Sequence, residues 1–264
     1  MTLTQDIFPA TAARLAEWQL QPGVLGVLLV GSKSRDYADA LSDDDLEVLL
    51  TDAAFAPLAP AACSELLLAG EGDARRIIYD AELTSLADLQ HKRHSHLDLD
   101  HWPYEKARIL FDRDGRTAQA VAAAGRMDST YRSLRLQHAT IDAWIAPHRA
   151  RKTLKRGFQA SSSMLVARGA RALARLLFAL EWRWVPMDHW LEPELRTLND
   201  PTGAGARLSE ALKTGSSEPL IAALDGLEDT LFTEGVARAA GRRDLFMQLI
   251  HPSRAEERAL HGLI

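Results

Sequence analysis

Three consecutive aspartates, Asp43, Asp44 and Asp45, stand directly before the apolar run Leu46 to Leu50, and Glu47 lies inside that run. Successive side chains of an extended strand alternate faces. Asp43 and Asp45 therefore point the same way, and Glu47 continues their row. Carboxylates on one face repel each other unless a cation sits among them. Hard oxygen donors suit Mg²⁺, which takes one or two carboxylates together with the phosphate oxygens of a substrate. Upstream, another apolar run, Val24 to Val30, ends at Gly31-Ser32. The order is strand, tight turn, polar segment, then a strand that opens on acids. A bare Asp-Asp-Asp is most often a solvated loop. The glycine turn and the flanking strands set this one apart.

At these residues the chain resembles the DNA polymerase beta-type nucleotidyltransferase superfamily. Gly31-Ser32, ten intervening residues and Asp43-x-Asp45, with Ser42 just before, is similar to the pattern of the kanamycin and lincosamide nucleotidyltransferases. The resemblance implies that Gly31 and Ser32 hold nucleotide phosphates and that Asp43 and Asp45 hold two Mg²⁺ ions. It also implies a third carboxylate from a neighbouring strand. Asp80 and Glu82, two residues apart on one face of the segment Ala74 to Leu83, are the candidates, with Asp80 preferred as the third metal ligand. One departure stands out: the family's spacer between the acids is apolar and buried, and here it is Asp44. A second register, Asp45-Leu46-Glu47, restores an apolar spacer at twelve intervening residues and keeps Glu47 in reserve. Trp102 to Gly115, WPYEKARILFDRDG, resembles a stretch of uncharacterised bacterial proteins with a nucleotidyltransferase-like domain.

The implied reaction moves a nucleoside monophosphate from an NTP, with ATP expected, to a hydroxyl of a small-molecule acceptor such as an aminoglycoside-like compound, and releases pyrophosphate. Two metals clamp the attacking and leaving oxygens of such a displacement. Lys33, Lys152, Lys155 and Arg168 are candidates to meet phosphate charge. For the family's helical-domain base only Asp142 and Glu181 are available, at the borders of an interval without acids. A second class of function is a nucleotide- or ligand-binding protein of the same fold that has lost catalysis, which Asp44 motivates. A third is a nucleotidyltransferase acting on RNA or protein. The formal net charge of −5 argues against nucleic acid as partner. A homodimer is left open.

The elements that must position these residues follow from periodicity and breakers. A helix is expected over 6–20, with Pro9 in its first turn and Leu15 and Trp18 on one face. Strands are expected at Val24–Val30, Leu46–Leu50, Ala74–Leu83 and Arg108–Phe111. Between them, residues 53–69 suggest a loop around Pro57 and Pro60 and then a short helix, and Ser85 caps another short helix. The cluster His91, His94, His96 and His101 lacks regular ligand spacing and reads as a solvated linker. After Arg116, alanine, leucine and arginine take over with helical spacing. Helices are expected from Asp128 or Ser129 to Ile145, broken at Pro147, and over 149–183 with Gly157 and Gly169 as weak points. Others cover 206–213, 218–240 and 244–263, interrupted near Gly226, Gly241 and Pro252. Trp182, Trp184 and Trp190 read as core more than as a stacking platform.

The fold class is therefore α+β: an N-terminal nucleotidyltransferase-like mixed sheet with flanking helices over 1–120, and a C-terminal α-helical bundle over 121–264. A chain of 264 residues, 47% hydrophobic and 25% charged, is long enough for both. Residues 1–120 carry 11 basic and 20 acidic side chains, residues 121–264 carry 20 and 16. An acidic half beside a basic one suits a metal-nucleotide. The single cysteine, Cys63, excludes an intramolecular disulfide and a cysteine-built zinc site, and is expected in the core. The N-terminal residues lack the parts of a signal peptide and no run is long enough to span a membrane, so a cytoplasmic protein without a membrane partner is expected.

Overall fold

A computed structural model describes residues 7–35 and 37–261, with side chains to residue 258. The chain divides into two compact units, Met1–Arg126 and Met127–Ile264. The class is α+β, a mixed sheet with helices followed by a helical region.

The first unit contains helices α1 (Pro9–Leu20), α2 (Asp52–Phe55), α3 (Leu86–Lys92), α4 (Trp102–Glu105) and α5 (Arg116–Ala124). Its strands are β1 (Val24–Leu29), β2 (Asp44–Leu50), β3 (Ser64–Ala69), β4 (Arg76–Ser85) and β5 (Arg108–Asp112), in the order β3-β4-β2-β1-β5. β2 and β4 run parallel, while the other neighbours are antiparallel. Residue 6, where the first helix was expected to begin, lies outside the described residues.

Both faces of the sheet are covered, which is why β1 is buried throughout. Val27, Leu29, Leu46, Val48 and Leu50 form one core with Leu15 and Trp18 of α1. Leu25, Leu28 and Leu49 form another with Leu86 and Leu89 of α3, Tyr104 of α4, and Ala120, Val121 and Ala124 of α5. Alternation along β2 thus assigns Asp44 to the α1 face and Asp45 and Glu47 to the opposite face.

Three expectations for this unit need correction. Ser64–Ala69 is a strand, not a helix: SELLLA is a short apolar run whose period does not separate the two states, and pairing with β4 decides it. Strict alternation along Ala74–Leu83 puts Ile78 on the face of Asp80 and Glu82, and it does not lie there. The β3–β4 register shifts between Leu67 and Leu68, and Ile78 joins Tyr79 and Ala81 in the α1-side core. Such a bulge displaces one residue from strict alternation. Cys63 is half-buried rather than in the core.

The second unit contains α6 (Ser129–Lys155), α7 (Gln159–Leu180), α8 (Leu191–Leu195), α9 (Ala204–Thr214), α10 (Glu218–Gly226), α11 (Glu228–Thr233), α12 (Arg242–Leu249) and α13 (Ala255–His261). Asp128 caps α6, its carboxylate accepting from the N–H groups of Thr130 and Tyr131. Pro147 does not break α6, which continues for two more turns. Its ring is buried and faces Gly169 of α7, where a Cβ would lie only 3.0 Å away. The weak point is instead Gly157, whose φ of +83° turns the chain between α6 and α7. The stretch 218–240 divides at Leu227, beside the interruption expected at Gly226, into two helices followed by a turn. Trp184 is buried beside Tyr131, while Trp182 is 48% exposed and lies under the Arg132 guanidinium.

Candidate active site

β1 ends at Leu29 and delivers the chain to Gly31, which has φ +64° and ψ −152°. Ser32–Ser34 then form one 3₁₀ turn. The turn is tied down from several sides. Ser34 Oγ donates to the Gly31 carbonyl at 2.8 Å, and Arg35 lies 3.8 Å above the Trp102 ring while donating to the Trp102 carbonyl at 2.6 Å. Ser32 is buried. A Cβ on Gly31 would fall 1.9 Å from Asp45 Oδ2, so only glycine leaves room for that carboxylate.

The acids come from two adjacent parallel strands. In the β2–β4 register Asp45 is opposite Asp80, and Glu47 is opposite Glu82. Neighbouring strands lie about 4.8 Å apart and registered residues share a face. Asp43 directly precedes β2 and, like Asp45, is half-buried; Asp80 and Glu82 are exposed. Burial, and then the charges of Asp43, Asp80 and Asp44, push the Asp45 carboxyl up to about 7, with Lys33 opposing the shift. Asp45 is therefore a carboxylate in want of positive charge.

Glu47 is engaged elsewhere. The Tyr104 hydroxyl donates to its two oxygens at 2.9 and 2.7 Å, and Lys92 Nζ reaches Tyr104 Oη at 2.5 Å and Glu47 Oε1 at 3.5 Å. Burial raises the Glu47 carboxyl, and burial and Glu47 raise the Tyr104 hydroxyl. Glu47 is thus a buried anchor for α3 and α4. Asp44 is fully buried and, as alternation requires, turned away from Asp45. Lys33 is held on it, Nζ to Oδ1 at 2.6 Å.

The remaining residues singled out in the sequence lie in the second unit. Lys152 and Lys155 are exposed near the end of α6, and Arg168 is bound to Asp142 at 2.8 Å. Burial raises the Asp142 carboxyl and Arg168 opposes it. Glu181 accepts from the Asn199 N–H at the surface. The acid-free interval finds its counter-charges outside itself: Arg151 pairs with Glu218 and Arg171 with Asp188.

The histidines do not converge. His101 is buried with its ring nitrogens against the carbonyls of Ala124 and Ser95, while His91 and His94 line an open groove of about 470 Å³ beside α3 and α5. Among the described residues no group of three or more His, Cys, Asp or Glu side chains is arranged to hold a metal ion. The acids around Asp45 have the donor chemistry of a hard-cation site without being a closed cage.

Sequence reasoning missed Thr11 and Trp102, which help secure the turn, and Tyr104, which secures Glu47. Each acts from a helix distant in sequence, and spacing carries no signal of that.

No protein-family model matches the chain, and no curated protein is similar to it. Among solved structures, it is similar to a nucleotidyltransferase-like protein from Exiguobacterium sibiricum, at 19% identity and a TM-score of 0.47, covering 97% of this chain and 88% of that one. A likeness at that score carries no weight for function. No helix among the described residues is long and apolar enough to cross a membrane.

Proposed function

We propose that the protein is a metal-dependent nucleotidyltransferase that transfers a nucleoside monophosphate from an NTP, ATP in the first instance, to a hydroxyl of a small, polyhydroxylated acceptor such as an aminoglycoside-like compound. The observation that carries this reading is the glycine turn at Gly31 lying against Asp45, with Asp80 at the registered position of the adjacent strand. A bare backbone turn next to clustered carboxylates suits a phosphate ester that arrives with its cations.

In this reading the Gly31–Ser32 backbone holds the terminal phosphates, and Asp43, Asp45 and Asp80 hold the cations. Bound there, Mg²⁺ supplies neutralisation of the phosphate charge that develops during transfer. The acceptor hydroxyl attacks the α-phosphorus, the bond to the bridging oxygen breaks, and pyrophosphate leaves. In this reading the hydroxyl proton passes to Glu82, which is exposed and shares a face of β4 with Asp80.

A second reading is a nucleotide-binding protein without transferase activity, and the lack of a closed three-ligand set among the described residues favours it. Asp44 does not, because it faces away from the acids. Calorimetric titration of ATP and GTP with Mg²⁺ into wild type and Asp45→Asn tests the site, and pyrophosphate release with a panel of acceptors tests the chemistry. Mg²⁺-dependent binding lost in Asp45→Asn, with turnover on one acceptor, supports the enzyme. Binding without turnover on any acceptor supports the second reading, and no nucleotide binding by wild type overturns both.

A further inference from the structure

Asp44 occupies a position that neither its neighbours in sequence nor the proposed chemistry accounts for. Its carboxylate is fully buried on the α1 face of the sheet. A carboxylate out of water costs several kcal/mol unless it is paired and hydrogen-bonded. Here Oδ1 receives Lys33 Nζ at 2.6 Å, and Oδ2 receives the Phe8 backbone N–H at 2.9 Å and Thr11 Oγ1 at 2.5 Å. Phe8 is the N-cap of α1 and Thr11 lies in its first turn, so the negative charge also sits at the positive end of the helix. The Lys33 ammonium lies 3.6 Å from the centre of the Phe8 ring, a cation–π contact on the same residue whose N–H binds Asp44.

We propose that Asp44 and Lys33 are positioning residues, a buried ion pair that clamps the Gly31–Ser34 turn to the start of β2 and to the N-terminus of α1. Three segments far apart in sequence meet at one carboxylate. Because adjacent residues of β2 point to opposite faces, anchoring Asp44 on one face fixes Asp45 on the other, directly under Gly31. Lys33 is then no phosphate ligand, since its ammonium is committed to Asp44 and Phe8. The part of this inference that concerns nucleotide affinity rests on the proposed function, while the clamp itself does not.

The test compares wild type, Lys33→Met, Asp44→Asn and the double variant Lys33→Met/Asp44→Asn. The double variant removes both charges and keeps an acceptor for Phe8 and Thr11. Two readouts are taken: hydrogen exchange of the 32–35 amides, and the Kd of Mg-ATP by calorimetry. Each single variant strands one buried charge and is expected to speed exchange in the turn about ten-fold or more, with Kd weakening in step. The double variant is expected to recover both to within about three-fold of wild type, as neutral replacement of a buried pair is often tolerated. Unchanged exchange in the single variants overturns the clamp. Exchange recovered in the double variant with Kd still weak also overturns it, because Lys33 then touches phosphate. If Lys33→Met does not fold, Asp44→Asn and the double variant decide the same question. If wild type binds no Mg-ATP, the proposed function fails and the exchange data still decide the clamp.

Discussion

Gly31 and Asp45 share one space: a Cβ on Gly31 would lie 1.9 Å from Asp45 Oδ2, and the Val30 N–H donates to the Asp45 carbonyl at 2.9 Å. The turn and the acid are fitted to each other. Gly31→Ala is expected to destabilise the protein by about 2–4 kcal/mol, from a left-handed φ and a direct clash. Adding Asp45→Ala removes the clash and leaves the backbone strain. Urea denaturation of the two single variants and the double should therefore give a coupling of about 1 kcal/mol or more. Strict additivity would mean that the turn does not rest on the carboxylate.

The raised Asp45 carboxyl has a consequence for stability. Its folded value is about 7 against an ordinary value of 3.8, so the folded state holds a proton that the unfolded chain has released. Between those values stability falls as pH rises, by roughly 2–4 kcal/mol in all. Without divalent metal the protein should be more stable near pH 5 than near pH 8 as far as this group is concerned. The Asp45→Asn variant isolates the effect: in EDTA it should equal or exceed wild type at pH 8 and lose this part of the pH slope. Mg²⁺ should restore wild type at pH 8 and leave the variant unmoved. A wild-type slope identical to that of Asp45→Asn would remove Asp45 from the acidic cluster.

How much of this could be read from sequence depends on range. The acid row was legible because a strand's alternation is local and Gly31-Ser32 marks where the preceding strand stops. Asp44 was legible only as an oddity. Its partners are Lys33, eleven residues away, and Thr11, thirty-three residues away on a helix whose docking no period reveals. Glu47 read as a reserve ligand, since nothing near it in sequence announces Tyr104, fifty-seven residues on. Ser64–Ala69 went astray for a different reason: six residues rich in leucine and alanine fit either period, and only pairing with β4 separates them.

Tyr104 shows what that long-range contact is worth. It is buried, its hydroxyl donates to Glu47, and Lys92 reaches both. Tyr104→Phe keeps the ring and strips the donor from a buried carboxylate, a loss expected at about 1–3 kcal/mol. Glu47→Gln should cost less, because an amide oxygen still accepts from the hydroxyl and the buried charge is gone. Chemical denaturation gives the order. If Glu47→Gln were the more damaging of the two, Glu47 would be serving as a charge rather than as a buried acceptor.

Pro147 and Gly169 offer a test in the second unit in which a sign is predicted. A proline inside a helix removes one backbone hydrogen bond and costs about 3 kcal/mol or more, yet α6 runs through it. A glycine inside a helix costs about 1 kcal/mol against alanine, yet α7 keeps one at 169. The two sites explain each other. A Cβ at Gly169 would lie 3.0 and 3.1 Å from the Pro147 ring and 3.2 Å from Leu220 Cδ1, so the glycine makes room for the ring. In the wild-type background Gly169→Ala is expected to destabilise by about 1 kcal/mol, crowding outweighing propensity. In a Pro147→Ala background the ring is gone, and the same substitution should stabilise by about 0.5–1 kcal/mol. Thermal or urea unfolding of the four proteins reads the sign directly. Stabilisation of equal size in both backgrounds would mean that the ring does not bear on position 169, and that α6 tolerates its proline for some other reason.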